Sequence, residues 1–152
     1  MAGAVDPSRD QQDLGAMMAR ILPRLAALEE PVLRAAGLSM WEYAILTEVA
    51  TSIAVSQREL SLRTRRDPTR LGRHIDEMVS RGLVTRERSR DQRQRAVGIT
   101  PTGRELLQRV QMEISAVENE LLASAMLSTD AAHFRHLLAQ LAAACEEPRP
   151  AS

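Results

Sequence analysis

The chain has 152 residues, 44% of them hydrophobic, with one Trp, one Tyr, one Phe and a formal net charge of zero. That length makes one domain of ordinary size, able to bury about two-thirds of its unfolded surface, here in an aliphatic core. The neutral total argues against a globally basic polyanion binder. No apolar run approaches a membrane span and the N-terminus lacks a secretory layout, so the expected location is the cytoplasm.

Met1 to Asp10, small and polar, reads as a flexible leader. Leu14, Met18, Ile21, Leu25, Leu28 and Val32 then recur in steps of four and three, the seam of a helix that packs on other helices. Pro23 and Pro31 interrupt it, and each is expected to kink or end the helix. Gly37 closes the segment. Ser39 and Glu42 form a capping box, with Leu38 and Tyr43 as a staple, ahead of a helix through Ile45, Leu46 and Val49. The β-branched run TSIAV after Ala50 predicts a minor strand.

Ser56 and Glu59 form a second capping box, stapled by Val55 and Leu60, and its short helix ends near Thr64. A tight turn, Arg65-Arg66, leads to Asp67, an N-cap, and Pro68, suited to the first helical position. Leu71, Ile75, Met78 and Val79 make one apolar face of the next helix. Thr69, Arg70, Arg73, Glu77 and Ser80 fall on the other side, and Gly82 is the stop.

Leu83 to Arg88 and Ala96 to Ile99 flank the polar stretch SRDQRQ as a two-stranded ribbon. Gly98 is expected to loosen the returning strand. Thr100-Pro101 caps a long helix striped by Leu107, Val110, Ile114, Val117 and Leu121. Ser128-Thr129-Asp130 begins the last helix, with Phe134, Leu137, Leu138, Leu141 and Cys145, and a polar tail runs from Glu146 to Ser152. The fold class is mainly α with a small β-wing.

Charge is unevenly placed. Between Gln57 and Arg95 stand twelve arginines against six acidic residues, a net of +6, and the rest of the chain carries the compensating −6. One cationic region on an acidic body is an electrostatic footprint for a polyanion. Two helices joined by a brief turn, the second with a cationic face and followed by an arginine-rich hairpin, have the layout of a winged helix-turn-helix.

This run resembles the MarR family of bacterial transcriptional regulators. Asp91, Arg93, Val97, Ile99, Thr100 and Gly103 fit the family's D-x-R-x-x-x-V-x-(L/I)-T-x-x-G wing. Gly37-Leu38-Ser39, Tyr43, Ile45, Leu46, Gln57, Leu60, Gly82-Leu83-Val84 and Arg86 also fall in place, covering roughly Gly37 to Gly103.

The resemblance implies a winged helix-turn-helix lobe over about residues 37–100. It is flanked by dimerisation helices at about 10–36 and 101–145, with flexible tails at 1–9 and 146–152. It implies a homodimer that sets one recognition helix in each of two major grooves about 34 Å apart on double-stranded DNA. The function implied is control of transcription, as a repressor on a palindromic operator.

Thr69, Arg70 and Arg73 are the candidate base readers, with His74 on the flank of their face. Ser56, Arg65 and Arg66, at helix ends, are candidate phosphate contacts. In the wing, the resemblance implies that Arg93 probes the minor groove and Asp91 braces the hairpin. Arg95 follows no family preference, and Arg90 and Arg95 are read as phosphate contacts rather than base readers.

A small-molecule effector between the dimerisation helices and the lobe is also implied, with Met17, Met18, Trp41 and Tyr43 as candidate lining. Core packing is the alternative for each, and Trp41 and Tyr43 stand about 200° apart on a helix. Cys145, the lone cysteine, is expected as a buried small hydrophobe, and no disulfide can form within the chain. His133 and His136 have a metal-compatible spacing without a third ligand, so no metal or cofactor is expected. No enzyme motif is present. The competing reading, a MarR-like protein- or ligand-binding module that no longer binds DNA, would have lost the basic residues that this chain keeps.

Overall fold

The computed structural model describes residues 12–88 and 95–146. Its element boundaries follow local capping chemistry. Asp13 accepts the Ala16 N–H at 2.7 Å and starts α1 (Leu14–Ala35). The helix continues through Pro23 and Pro31, so neither proline ends it. Each proline removes one intrahelical donor, and Ala19 and Ala27, whose carbonyls lose it, are exposed residues where water can replace it. At the end of α1 Gly37 takes φ 69°, and the Leu38 N–H returns to the Leu33 carbonyl at 2.9 Å. This is the left-handed C-terminal motif that glycine allows without Cβ strain.

The capping box of α2 (Met40–Ala50) is complete. The Ser39 Oγ accepts the Glu42 N–H at 3.1 Å, and the Glu42 carboxylate accepts the Ser39 N–H at 2.9 Å. The box of α3 (Gln57–Thr64) is half made. Ser56 accepts from the Glu59 N–H, but the Glu59 carboxylate turns to Arg63 at 2.6 Å. β1 (Val55–Ser56) is the minor strand foreseen in TSIAV. After α4 (Pro68–Ser80), β2 (Val84–Arg88) and β3 (Arg95–Ile99) make the hairpin, and the antiparallel order is β1-β3-β2. Val55 and Arg86 both stand opposite Val97.

The core is aliphatic, as composition required. Leu33, Ile45, Leu46, Val49, Leu60, Leu71, Ile75, Met78, Val97, Leu107 and Val110 are all buried. α5 (Pro101–Ala123) enters it through a close approach. The Thr100 hydroxyl donates to the Gly82 carbonyl at 2.6 Å and accepts the Gly103 N–H at 3.0 Å. A Cβ on Gly103 would stand 2.1 Å from the Leu83 carbonyl oxygen. The threonine and the glycine are therefore steric and hydrogen-bonding requirements of the junction between wing and helix.

The chain divides into two compact units, with the break between Ile114 and Ser115. In the second unit, α6 (Ser128–Glu146) is tied to the end of α5 by Arg135, which reaches Glu118 at 3.1 Å and Asn119 at 2.9 Å. α6 buries no residue; Phe134, Leu137, Leu138 and Leu141 are exposed. Cys145 is exposed too, against the buried position expected for it. An apolar stripe buries a side chain only where another element covers it, and among the described residues nothing covers that end. Among the described residues no helix is long and apolar enough to cross a membrane.

Gly103→Ala is expected to lower stability by about 1–3 kcal/mol despite alanine's better helix propensity, since the new methyl meets backbone that cannot yield. Urea unfolding measures it.

Candidate nucleic-acid interface

The rotation of α4 about its own axis is set by Leu71, Ile75 and Met78, all fully buried. At the helical period this puts Thr69, Arg70, Arg73, Asp76, Glu77 and Ser80 outward, and all six are exposed. Val79, placed with the apolar face by spacing, lies at its margin and is also exposed. Asp67 caps the helix by accepting the Arg70 N–H at 3.1 Å. Its other oxygen lies 3.4 Å from Arg70 Nε, but Arg70 is 66% exposed, so this pair is weak and does not withdraw the guanidinium. Arg73 makes no ion pair among the described residues. Gly82, at φ 71°, ends the segment as Gly37 ends α1.

The turn before α4 is strained. Arg65 takes the left-handed conformation at φ 53°, which costs a non-glycine residue about 1 kcal/mol. The turn is closed by the Ser61 hydroxyl, which donates to the Arg66 carbonyl at 2.6 Å. Arg65 is exposed, whereas Arg66 folds back half-buried. Its Cζ lies 4.3 Å from the centroid of the Trp41 ring and its Nη2 3.5 Å from His74 Nε2. The Ser56 hydroxyl is engaged as an N-cap, so what remains there for an anion is the backbone of the α3 first turn.

His74 does not stand on the outer flank as its spacing suggested. Its side chain is 18% exposed, with Nδ1 4.0 Å from the buried Glu42 carboxylate. Glu42 also faces Arg81 Nη1 at 3.9 Å, and that nitrogen donates to the Gly37 carbonyl at 2.7 Å. One buried carboxylate thus links the start of α2 to the middle and the end of α4. A further link escaped the sequence reading. Arg86 of β2, mostly buried, pairs with Asp76 of α4 and fastens the wing to the helix. Ten residues separate the two, and no helical or strand period connects them.

The four candidate effector-lining residues lie on α1 and α2. Met17 and Met18 are half-buried on α1, Trp41 carries Arg66, and Tyr43 packs against the core. A cleft of about 290 Å³ lies between Glu30, Leu33 and Arg34 of α1 and Leu38, Ser39 and Met40, and none of the four lines it. The readings for Arg90, Asp91 and Arg93, and for the Arg95 side chain, lie outside the described residues. So do those for the two tails. Among the described residues no three His, Cys, Asp or Glu side chains group as metal ligands.

Glu42→Ala is expected to lower stability by about 1–3 kcal/mol, because it removes a cap and leaves His74 and Arg81 facing an empty site. Ser39→Ala should cost about 1 kcal/mol. The double variant should lose less than the sum in chemical denaturation, since the two share one pair of bonds.

Residues 36–95 match the model described as the MarR family. No curated protein matches the chain. Among solved structures, apo MarR from E. coli is 19% identical, with a TM-score of 0.75 over 86% of this chain and 97% of that one. CouR from Rhodococcus jostii RHA1, solved with p-coumaroyl-CoA, is 22% identical, with a TM-score of 0.72 over 93% and 96%. The Mycobacterium tuberculosis MarR family protein Rv2887, solved with DNA, is 21% identical, with a TM-score of 0.73 over 86% and 98%. The mostly helical fold with its three-stranded antiparallel sheet is the MarR winged-helix fold, and over residues 36–95 the family resemblance read from the motifs is met by the family model.

Proposed function

We propose that this chain, with a MarR-family segment over residues 36–95 and the fold of MarR regulators, is a sequence-specific DNA-binding regulator of transcription. It works as a homodimer and represses by occupying a palindromic operator. The observation that carries this reading is the outward face of α4. Thr69, Arg70 and Arg73 are exposed on a helix whose opposite side is fully buried and whose flank is fastened to the wing. A helix so held can enter a major groove as a rigid body, with arginine donors matched to guanine edges and phosphate. Rv2887, with a similar fold, has been solved on DNA.

Exposed Arg65 stands at the entry to α4, where a cation meets the phosphate backbone. A left-handed non-glycine residue there indicates that the charge is worth its strain. Arg93, with Arg90, Arg95 and Asp91, completes the reading as the wing that follows the minor groove. A small-molecule effector is part of the proposal, supported by CouR's solved complex with p-coumaroyl-CoA. Met17, Met18, Trp41 and Tyr43 remain its candidate lining.

A gel-shift salt titration tests DNA binding. If the dimer meets about eight phosphates, log affinity should fall against log salt with a slope of roughly −7, and a flat response would overturn the reading. Arg73→Ala should weaken binding to a selected operator by about 10- to 100-fold while leaving stability unchanged.

Dimerisation is supported by the exposed Phe134, Leu137, Leu138 and Leu141 on α6, since side chains of this kind gain about 1.5–3 kcal/mol each when fully buried. Sedimentation should find two copies associated, and Leu137→Glu with Leu141→Glu should separate them without unfolding the first unit.

A further inference from the structure

Trp41 is the chain's single tryptophan, and at 36% exposure it lies at the surface of α2. Its ring is occupied by the guanidinium of Arg66, with Cζ 4.3 Å from the centroid. Arginine favours such stacking because its planar, weakly hydrated cation keeps its in-plane N–H groups available while one face rests on the ring. Arg66 is held at one further point, its Nη2 lying 3.5 Å from His74 Nε2, while its Nε is sealed from solvent with no hydrogen-bond partner. Leaving an arginine N–H sealed and unpaired opposes folding. The arrangement persists because the ring, the histidine and the closed turn all fix the same side chain. What it yields is an arginine whose rotamer freedom is already lost, one residue before the N-cap of α4.

We infer that Trp41 is a positioning residue for DNA binding. Its ring holds Arg66 so that the guanidinium meets a backbone phosphate where the recognition helix begins. This rests on the DNA-binding reading above and adds to it a residue that touches no DNA. Ordering Arg66 during folding removes that entropy from the binding step, which is how preorganisation raises affinity.

The test is a double-mutant cycle in the full-length protein, read as affinity for a mixed-sequence duplex of about 30 base pairs, three helical turns, across a range of salt. Such DNA reports phosphate contacts whatever the operator is. Trp41→Leu keeps apolar bulk without the ring, and Trp41→Phe keeps a ring.

Arg66→Ala should reduce the salt slope by about 0.9 per protomer, one phosphate, and lower affinity by about three- to tenfold. Trp41→Leu should do the same, Trp41→Phe should restore most of both, and Trp41→Leu with Arg66→Ala should be no worse than Arg66→Ala alone. A general packing defect would lower stability without moving the slope. Losses that multiply in the double variant, or a wild-type slope in Trp41→Leu, would overturn the positioning role and leave DNA binding standing. A wild-type protein that binds the duplex with no salt dependence would overturn both.

Discussion

The burial of Leu71, Ile75 and Met78 is the constraint from which the rest follows. Three aliphatic side chains at helical spacing, each stabilised by about 1.5–3 kcal/mol when fully buried, fix how α4 is turned about its axis. A turn of one residue would rotate the helix by about 100°, draw Arg70 toward the core and bring an aliphatic residue out. The desolvation of an unpaired guanidinium stands against that. The outward direction of Thr69, Arg70 and Arg73 is therefore a consequence of core packing. Caps at Asp67 and Gly82 set where the helix starts and stops, and the Arg86–Asp76 pair sets where the wing lies beside it.

The cationic region is less uniform than its count of arginines suggests. Arg63 is held by Glu59 and Glu48, Arg81 by the Gly37 carbonyl and Glu42, Arg86 by Asp76, and Arg66 lies on Trp41. The first three tie α2, α3, α4 and the sheet together inside the lobe, while the stacked Arg66 is, on the inference above, held for a phosphate. Arg58, Arg65, Arg70 and Arg73 are exposed, and they carry the field that a polyanion meets among the described residues. The division has a physical basis. An arginine whose guanidinium is taken by an internal carboxylate or carbonyl gives rigidity, whereas one without such a partner can exchange its counterions for phosphate.

Away from the lobe, apolar surface is left over. On α1, Leu14, Ile21 and Leu22 are exposed, and on α6 so are Phe134, Leu137, Leu138 and Leu141. Aliphatic stripes of this length in water oppose solubility unless a further surface covers them. A second copy presents the same stripes and is the simplest cover, which is why dimerisation and DNA binding belong to one proposal.

Local chemistry in the chain reaches as far as one turn of helix or one hairpin. Ser39 with Glu42, Asp67 with Pro68, the glycine stops and the alternation of Val84 were all legible because caps and periods are local. So were the inner and outer faces of α4, and with them Thr69, Arg70 and Arg73. What distant residues do to one another came from packing between elements. It carried α1 through two prolines, turned His74 in toward Glu42, gave Trp41 to Arg66 and joined Arg86 to Asp76, and it left Cys145 in solvent. These outcomes depend on which elements lie side by side, and side chains brought together over ten to forty residues of chain leave no period in the sequence to be read.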